Sequence, residues 1–437
     1  MSGDLPTVQT PSFREALRFW IKLGWISFGG PAGQIAIMHK EIVERRRWMS
    51  EDHFLHALNF CMLLPGPEAQ QLATYLGWRL HGARGGIAAG ALFVIPSIFI
   101  LWALSLLYMA GGDVKWIQGL FYGLTPAVIA IVISAVKRIG SKALKTPALW
   151  CLALLSFVAI FHFKVSFVII IIGAGLIGLI GGKWLPKHFP AAKGHAKSGA
   201  DEGPVLELPP GAPASLKRSA TILLLCMTLW WLPVLLCGVW LGWNSVQFRE
   251  GLFFSKAALV TFGGAYAVLP YVSQMAVDHF GWLSQKQMIA GLGLAETTPG
   301  PLIMVLQFVG FVAGWQNPGN LPPLLAATLG AGITTWVTFL PCFLFVFLGA
   351  PYVEGLRERP AIASILTAIT AAVVGVIQNL AIWFAWHALR PAPDTFDWFV
   401  LVVAVGALVA MERFKAGVVP TLSVCAVLGL IWKLVAG

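Results

Sequence analysis

Two short runs carry residue types that could handle an ion inside an apolar environment. Leu64-Pro65-Gly66-Pro67-Glu68 interrupts one apolar stretch, and Thr298-Pro299-Gly300-Pro301-Leu302 interrupts another. Proline removes a backbone donor and clashes with the preceding turn, yet it suits the first position of a new helix. Each run is therefore expected to end one half-helix and start another. Such a start turns unpaired N–H groups and a positive dipole end toward whatever lies before it, and an anion is the natural ligand. The competing reading is a proline kink that closes a packing gap.

A second pair of breaks, Phe28-Gly29-Gly30-Pro31 and Phe262-Gly263-Gly264, is expected to leave backbone free to face a substrate, or else to allow close helix packing. Lys22 and Lys256 precede these breaks by about two turns. A lysine deep in a bilayer costs roughly 2.5–3.5 kcal/mol, so each either meets a bound dianion or snorkels to the interface. Glu68 and Glu296 flank the Pro-Gly-Pro runs at non-equivalent places and are candidates for proton coupling, Glu68 having the alternative role of an ordinary first-turn carboxylate. Asn59, Gln70, Gln71, Thr297, Thr298 and Gln307 are neutral groups nearby. His53 and His56 lie one turn apart with no carboxylate or cysteine to complete a set, so no metal and no cofactor is expected. No phosphate loop or nucleophile motif occurs, which points away from an enzyme and makes an ion gradient the energy source for any pumping.

These residues need membrane helices to position them. Of 437 residues 58% are hydrophobic and 11% charged, and the mean hydropathy is +0.78. Apolar stretches near the roughly 20 residues that span a bilayer recur along the chain, continuous rather than alternating, so they are helices and not barrel strands. The net charge of +11 sits between apolar spans, where topology rather than nucleic acid accounts for it. Six cysteines (Cys61, Cys151, Cys226, Cys237, Cys342, Cys425) fall inside apolar stretches as small core residues. Residues 1–12 show no signal-peptide pattern.

The chain also repeats itself. Phe28-Gly29-Gly30 returns as Phe262-Gly263-Gly264, a spacing of 234 residues that also maps Lys22 on Lys256, Trp48 on Trp282, Ser50 on Ser284 and Pro65-Gly66-Pro67 on Pro299-Gly300-Pro301. Further on the spacing becomes 245, pairing Pro96 with Pro341 and Ala127-Val128 with Ala372-Val373. Two homologous halves are expected: residues 1–182, then a Pro- and Gly-rich flexible cytoplasmic linker at 183–218, a connecting transmembrane helix at 219–243, and residues 244–437. Spans are expected near 14–38, 53–80, 85–111, 116–140, 147–163 and 164–182, then at 221–243, then near 250–275, 285–314, 322–350, 360–390, 395–411 and 416–435. The fold class is an all-α polytopic membrane protein of about 13 spans. Six spans plus one unpaired span turn the second half over, an inverted repeat. Re-entrant Pro-Gly-Pro elements would make it parallel instead. The distribution of Lys and Arg puts the N-terminus in the cytoplasm and the C-terminus in the periplasm, with Lys40 and Arg45-Arg46-Arg47 in conflict.

The FGG motif opening each half, the basic run ending in Trp48, and the stretch Leu63-Leu64-Pro65-Gly66-Pro67-Glu68-Ala69-Gln70-Gln71-Leu72-Ala73 resemble the long, two-domain members of the chromate ion transporter family over nearly the whole chain. That resemblance implies a multi-pass protein of the bacterial inner membrane exporting chromate from the cytoplasm, driven by the proton gradient or the membrane potential. Its motifs carry over to Phe28, Gly29, Gly30, Arg45, Trp48, Pro65, Gly66, Pro67, Phe262, Gly263, Gly264, Trp282, Pro299, Gly300 and Pro301. The second half departs from the pattern with Asp278-His279-Phe280-Gly281 in place of the arginine run. The partners implied are chromate or a similar oxyanion, protons and the lipid bilayer, with a homodimer left open. Sulfate has nearly the same shape and charge as chromate, so a sulfate-like oxyanion carrier is the alternative, and an integral-membrane lipid enzyme a more distant one.

Overall fold

A computed structural model describes residues 11–112, 114–189, 215–352, 360–392 and 395–436. Every regular element among them is a helix. Most of the expected linker, 190–214, lies outside the described residues. The flanking helices reach further toward it than expected, to Trp184 on one side and back to Leu216 on the other.

The helices are α1 (Phe13–Ile26), α2 (Gly30–His39), α3 (Glu51–Leu63), α4 (Glu68–Ala110), α5 (Lys115–Ala143), α6 (Pro147–Phe161), α7 (Phe167–Trp184) and α8 (Leu216–Leu241). They continue as α9 (Val246–Leu259), α10 (Ala265–Ser273), α11 (Gln285–Thr297), α12 (Val305–Gln316), α13 (Pro323–Gly349), α14 (Pro360–Leu389), α15 (Trp398–Arg413) and α16 (Val418–Ala436). Seven of them, α4, α5, α7, α8, α13, α14 and α16, are long and apolar enough to cross a membrane. The expected spans at 14–38, 53–80, 250–275 and 285–314 are each divided in two at the glycine or Pro-Gly-Pro breaks, leaving pieces of 9 to 14 residues outside α4. The breaks thus interrupt the helices fully instead of merely kinking them.

Helix α4 has 43 residues, about 65 Å at 1.5 Å per residue, too long for one crossing of a ~30 Å core. It is bent where His81 (φ −139°) and Gly82 (φ 62°) leave helical geometry. Its arms, 68–80 and 83–110, correspond in sequence to α12 and α13, which the loop after Gln316 separates completely.

Packing follows the repeat. Helix α1 lies on α4 and α9 on α13, while α5 packs on α15 and α16, and α14 packs on α6 and α7. Small residues set these contacts. A Cβ on Gly123 of α5 would strike the backbone of Cys425 and Ala426 in α16, one on Gly178 of α7 would strike Ser364 and Ala368 in α14, and one on Gly375 of α14 would strike Ala153 and Phe157 in α6. Close backbone approach is the main attraction available between helices in lipid, and overfilling such a contact costs about 1–3 kcal/mol. Around this core, Trp150, Leu154 and Leu155 of α6, Ile169, Ile172 and Leu176 of α7, and Leu224, Val239 and Trp240 of α8 are exposed, as helix faces turned to lipid require.

Candidate functional site

The glycine breaks and the Pro-Gly-Pro runs meet crosswise. Gly66 N–H donates to Thr261 O at 2.7 Å, and Gly300 N–H donates to Ser27 O at 2.8 Å. Ser27 and Thr261 stand 234 residues apart, as do Gly66 and Gly300, so one bond is the sequence image of the other. Each Pro-Gly-Pro run is therefore tied to the glycine break of the other region, a pairing that no local sequence feature announces.

A second reciprocity surrounds the first. Pro96 and Pro341 occupy equivalent places in α4 and α13, and the residues after them point at opposite breaks. The Ser97 hydroxyl donates to Pro299 O, and Cys342 Sγ lies 2.8 Å from where a Cβ on Gly66 would stand. Two glutamines complete the frame. Gln71 Nε2 donates to Pro65 O at 2.8 Å, and buried Gln34 reaches across to Gly300 O at 2.5 Å and to Ser27 O at 3.3 Å.

The backbone at the breaks is in the left-handed region that favours glycine: φ is 89° at Gly29, 71° at Gly30, 129° at Gly66, 82° at Gly263, 88° at Gly264 and 108° at Gly300. At Gly66 and Gly300 this geometry brings the amide to the partner carbonyl. Any Cβ there is strained by φ and crowded, by Cys342 and Gln71 at Gly66 and by Ser97 at Gly300, so alanine is harmful as well, though less so than a bulkier residue.

The Pro-Gly-Pro elements are buried except for Pro65, which is half-buried, whereas Phe28 is exposed and Phe262 half-buried. The half-helix starts hold the amides of Glu68 and Ala69 on one side and of Leu302 and Ile303 on the other, none bonded to a backbone carbonyl among the described residues. Glu68 faces Gly264, its Oε1 3.7 Å from where a Cβ would stand there. Glu296 is buried and accepts a hydrogen bond from Tyr266, whose hydroxyl also faces Arg138 of α5. One turn further along α5, Lys142 is the basic group near enough to act on Glu68.

Sequence reasoning thus missed Arg138 and Lys142, which read as loop charges at the end of a span, and Tyr266, Ser97, Gln34 and Cys342. The offset is a sequence signal that could have found Ser97 and Cys342, through the matched Pro96-Ser97 and Pro341-Cys342 pairs; it points to none of the others. Lys22 and Lys256 are both exposed, in α1 and α9, and make no ion pair among the described residues. Of the candidate substrate residues, the structure gathers the breaks and leaves the two lysines at the periphery. His53 bonds to Ser50 at 2.7 Å, and no cluster of three metal-ligating side chains occurs among the described residues.

The arrangement offers amide donors and two carboxyl groups beside crossed chain breaks, with Arg138 and Lys142, both exposed, acting on the carboxyl groups from α5, a setting for moving an anion rather than for bond chemistry. Comparison with known proteins agrees. The chromate transporter family matches the chain over residues 14–179 and 248–430. The chromate transport protein of Pseudomonas aeruginosa is 33% identical over 389 residues, covering 88% of this chain and 83% of the relative, and that of Cupriavidus metallidurans is 28% identical over 417 residues, covering 95% and 92%. An uncharacterized transporter of Bacillus subtilis, YwrA, is 28% identical over 157 residues, 35% of this chain but 88% of its own length. No solved structure matches.

Proposed function

We propose, from the premise that the chain belongs to the chromate transporter family, that it exports chromate from the cytoplasm as a secondary active transporter of the bacterial inner membrane. The observation that carries this reading is the crossed pair of hydrogen bonds, Gly66 to Thr261 and Gly300 to Ser27. These bonds hold two interrupted helices against two glycine breaks, and in this reading the N-terminal amides at Glu68 and Leu302 serve the anion from the two sides. A dehydrated oxyanion needs several donors at once, and helix starts supply them without a fixed full charge that would prevent release. Arg138 and Lys142 supply positive potential from α5, and Lys22 and Lys256, exposed at equivalent positions, draw the anion toward the breaks. Glu68 and Glu296 take up protons, which relieves their repulsion of the anion and couples transport to the proton gradient.

The scaffold we propose is an inverted repeat of two halves, with a linker on the cytoplasmic side. Supporting it, Gly178 near the end of α7 lies beside Ser364 near the start of α14, and Gly119 near the start of α5 lies beside Leu430 near the end of α16. Each contact sets a helix of one half antiparallel to one of the other: α7 against α14, the counterpart of α5, and α5 against α16, the counterpart of α7. The two matched regions and the half-length relative support separate halves. The N-terminus and linker are then cytoplasmic and the C-terminus periplasmic, with about 13 crossings if each broken pair counts as one.

The test is uptake of labelled chromate into inverted membrane vesicles with and without an imposed proton gradient. Accumulation that requires the gradient is expected. Equal uptake by vesicles lacking the protein would overturn the reading, and stronger displacement of label by sulfate than by chromate would make it a sulfate carrier.

A further inference from the structure

Away from the crossed breaks, one carboxyl group is sealed in the protein with nothing to bond. Glu250 lies in the second turn of α9, is 0% exposed, and neither side-chain oxygen has a hydrogen-bond partner among the described residues. It faces the crossing of α12 and α13, where Gly310 and Gly330 approach so closely that a Cβ on either would strike the carbonyl oxygen of the other. Glu250 Oε2 sits 2.9 Å from where a Cβ on Gly330 would stand. Thr334, one turn beyond Gly330 and packed against Gly310, has a second buried side-chain oxygen without a partner.

The surroundings do not neutralise a charge. Cys237 is the titratable group that α8 brings toward Glu250, α12 contributes Gly310, and α13 contributes Gly330 and Thr334. The titratable residues of α10, Tyr266 and Tyr271, engage Glu296 and the rings of Phe167 and Phe253 instead. Arg249, next in the chain, is exposed and donates to Asn244. An ionised carboxylate in such a place, without a cation or donor, is far costlier than a neutral acid. A metal ion would need several oxygens and the space for its shell, and this crossing cannot accept even a methyl group.

We propose that Glu250 is a proton-binding site, occupied in the packed arrangement seen here and emptied when α9 separates from the α12–α13 crossing. The role in coupling rests on the proton-driven reading above; the proton itself does not. The position 234 residues earlier is Ala16, also buried, so the site occurs once per chain and belongs to the second region alone. Glu250 binds and releases a proton without touching the anion, so it acts on transport through helix movement.

The purified full chain in liposomes tests this with two readouts. Glu250→Gln keeps the shape of the neutral acid, so exchange of labelled chromate at equal pH on both sides should stay near the wild-type rate. Acceleration by a pH gradient should fall by about ten-fold or more. In the infrared spectrum of the wild type, the C=O stretch of a protonated carboxylic acid should be present at neutral pH and be reduced in Glu250→Gln. Glu250→Ala, which copies the residue at position 16, repeats the spectral test should the glutamine fold poorly. An unchanged band in both variants, or a wild-type gradient response in Glu250→Gln, would overturn the proposal. If the wild type moves no chromate under any gradient and yet the band disappears with Glu250, the site stands and the transport reading fails.

Discussion

Phe19, Arg46 and Trp48 occupy the same places in the first matched region that Phe253, Phe280 and Trp282 occupy in the second, yet the two clusters are held by different forces. Phe19 meets Trp48 edge-on at 5.5 Å, and Phe253 meets Trp282 edge-on at 5.8 Å. Over this shared pair, the Arg46 guanidinium lies 4.9 Å from the Trp48 ring and 5.3 Å from Phe19, and it pairs with Glu41 and Glu15. In the second region Phe280 stacks on Trp282 at 4.2 Å. The positions of Glu15 and Glu41 are Arg249 and Met275 there, so the carboxylates vanish with the cation they balanced. Even the π-helical turns ahead of the clusters, Lys40–Arg45 and Gln274–His279, coincide. A fold can keep a geometry while exchanging cation–π and ionic terms for stacking, provided all members change together.

Burial separates the regions more sharply. All nine residues of α10 are buried, against Gln34 and Met38 alone among the ten of α2. Helix α10 packs along α14 and α9, while α2 rests on α4 and its own π-helical turn. The polar frame of the site is divided accordingly. Gln34, Gln71 and Glu68 come from the first region, and the matching positions in the second are Val268, Val305 and Leu302. The second region contributes the buried Tyr266–Glu296 pair and shields it.

The largest effect that would sharpen this comparison is at the paired glycines. Gly300→Leu should abolish transport, and even Gly300→Ala should be damaging, because its Cβ meets a Ser97 hydroxyl already committed to Pro299 O. Gly66→Ala should do less harm, since its Cβ would meet Cys342 Sγ and Gln71 Nε2 at 2.8 Å, a milder overlap than that with the Ser97 hydroxyl at Gly300. Both changes carry a backbone strain of about 1–3 kcal/mol. Membrane abundance measured beside chromate binding separates a blocked site from a lost fold, and equal tolerance at the two glycines would remove the asymmetry.

Next in size is Arg138. Its position 245 residues later is Trp383, so only one region supplies this cation. Arg138→Gln should weaken chromate binding by about 1–3 kcal/mol, the range for losing a charged hydrogen-bonding group, with normal abundance. Binding titration of the purified variant checks it. Trp383→Phe should leave binding unchanged, and a loss equal to that of Arg138→Gln would show that the regions share the role.

Exchange of the cluster residues comes third. Phe280→Arg would insert a cation among Phe253, Trp282, Met275 and Arg249 with no carboxylate at the Glu15 and Glu41 positions, and should destabilise by about 1–3 kcal/mol. Arg46→Phe should cost about 1 kcal/mol, since Glu41 keeps Arg45 at 2.7 Å and stacking replaces the cation. Thermal unfolding in detergent compares the two, and the reverse order would mean that the rings rather than the charges set the difference.

Much of this was legible in the sequence because it is local. The offset of 234, the two Pro-Gly-Pro runs and the paired glycines all mark breaks that a helix cannot avoid. Their partners were not legible. Which break meets which depends on backbone bonds between residues more than 190 positions apart, such as Gly66 to Thr261, and backbone groups carry no sequence signature. Arg138 was hidden for another reason: a basic residue near the end of a span is what loop topology also produces. Glu250 was missed because one carboxylate early in a segment looks interfacial until α8, α12 and α13 close over it. Lengths failed where breaks fully divide a stretch, so hydropathy alone expects one span where two short helices stand.

The smallest expected effect distinguishes main chain from side chain at the crossing. Ser27 and Thr261 each accept the decisive hydrogen bond through their carbonyl oxygens, while their hydroxyls turn back to Leu23 O and Ala257 O, both at 2.6 Å. A hydroxyl bonded to the carbonyl four residues earlier relieves a helix end but does not hold the other region. Replacing it removes donor and polar burden together, so little desolvation is left unmet. Ser27→Ala and Thr261→Val should therefore each change stability by less than about 1 kcal/mol and leave chromate binding within about two-fold of wild type. The two variants should also resemble each other, because the back-bonds match in length and register. Should Ser27→Ala abolish binding while Thr261→Val does not, the Ser27 hydroxyl would be a ligand, and the crossed breaks would be chemically unequal at their centre as well as at their rim.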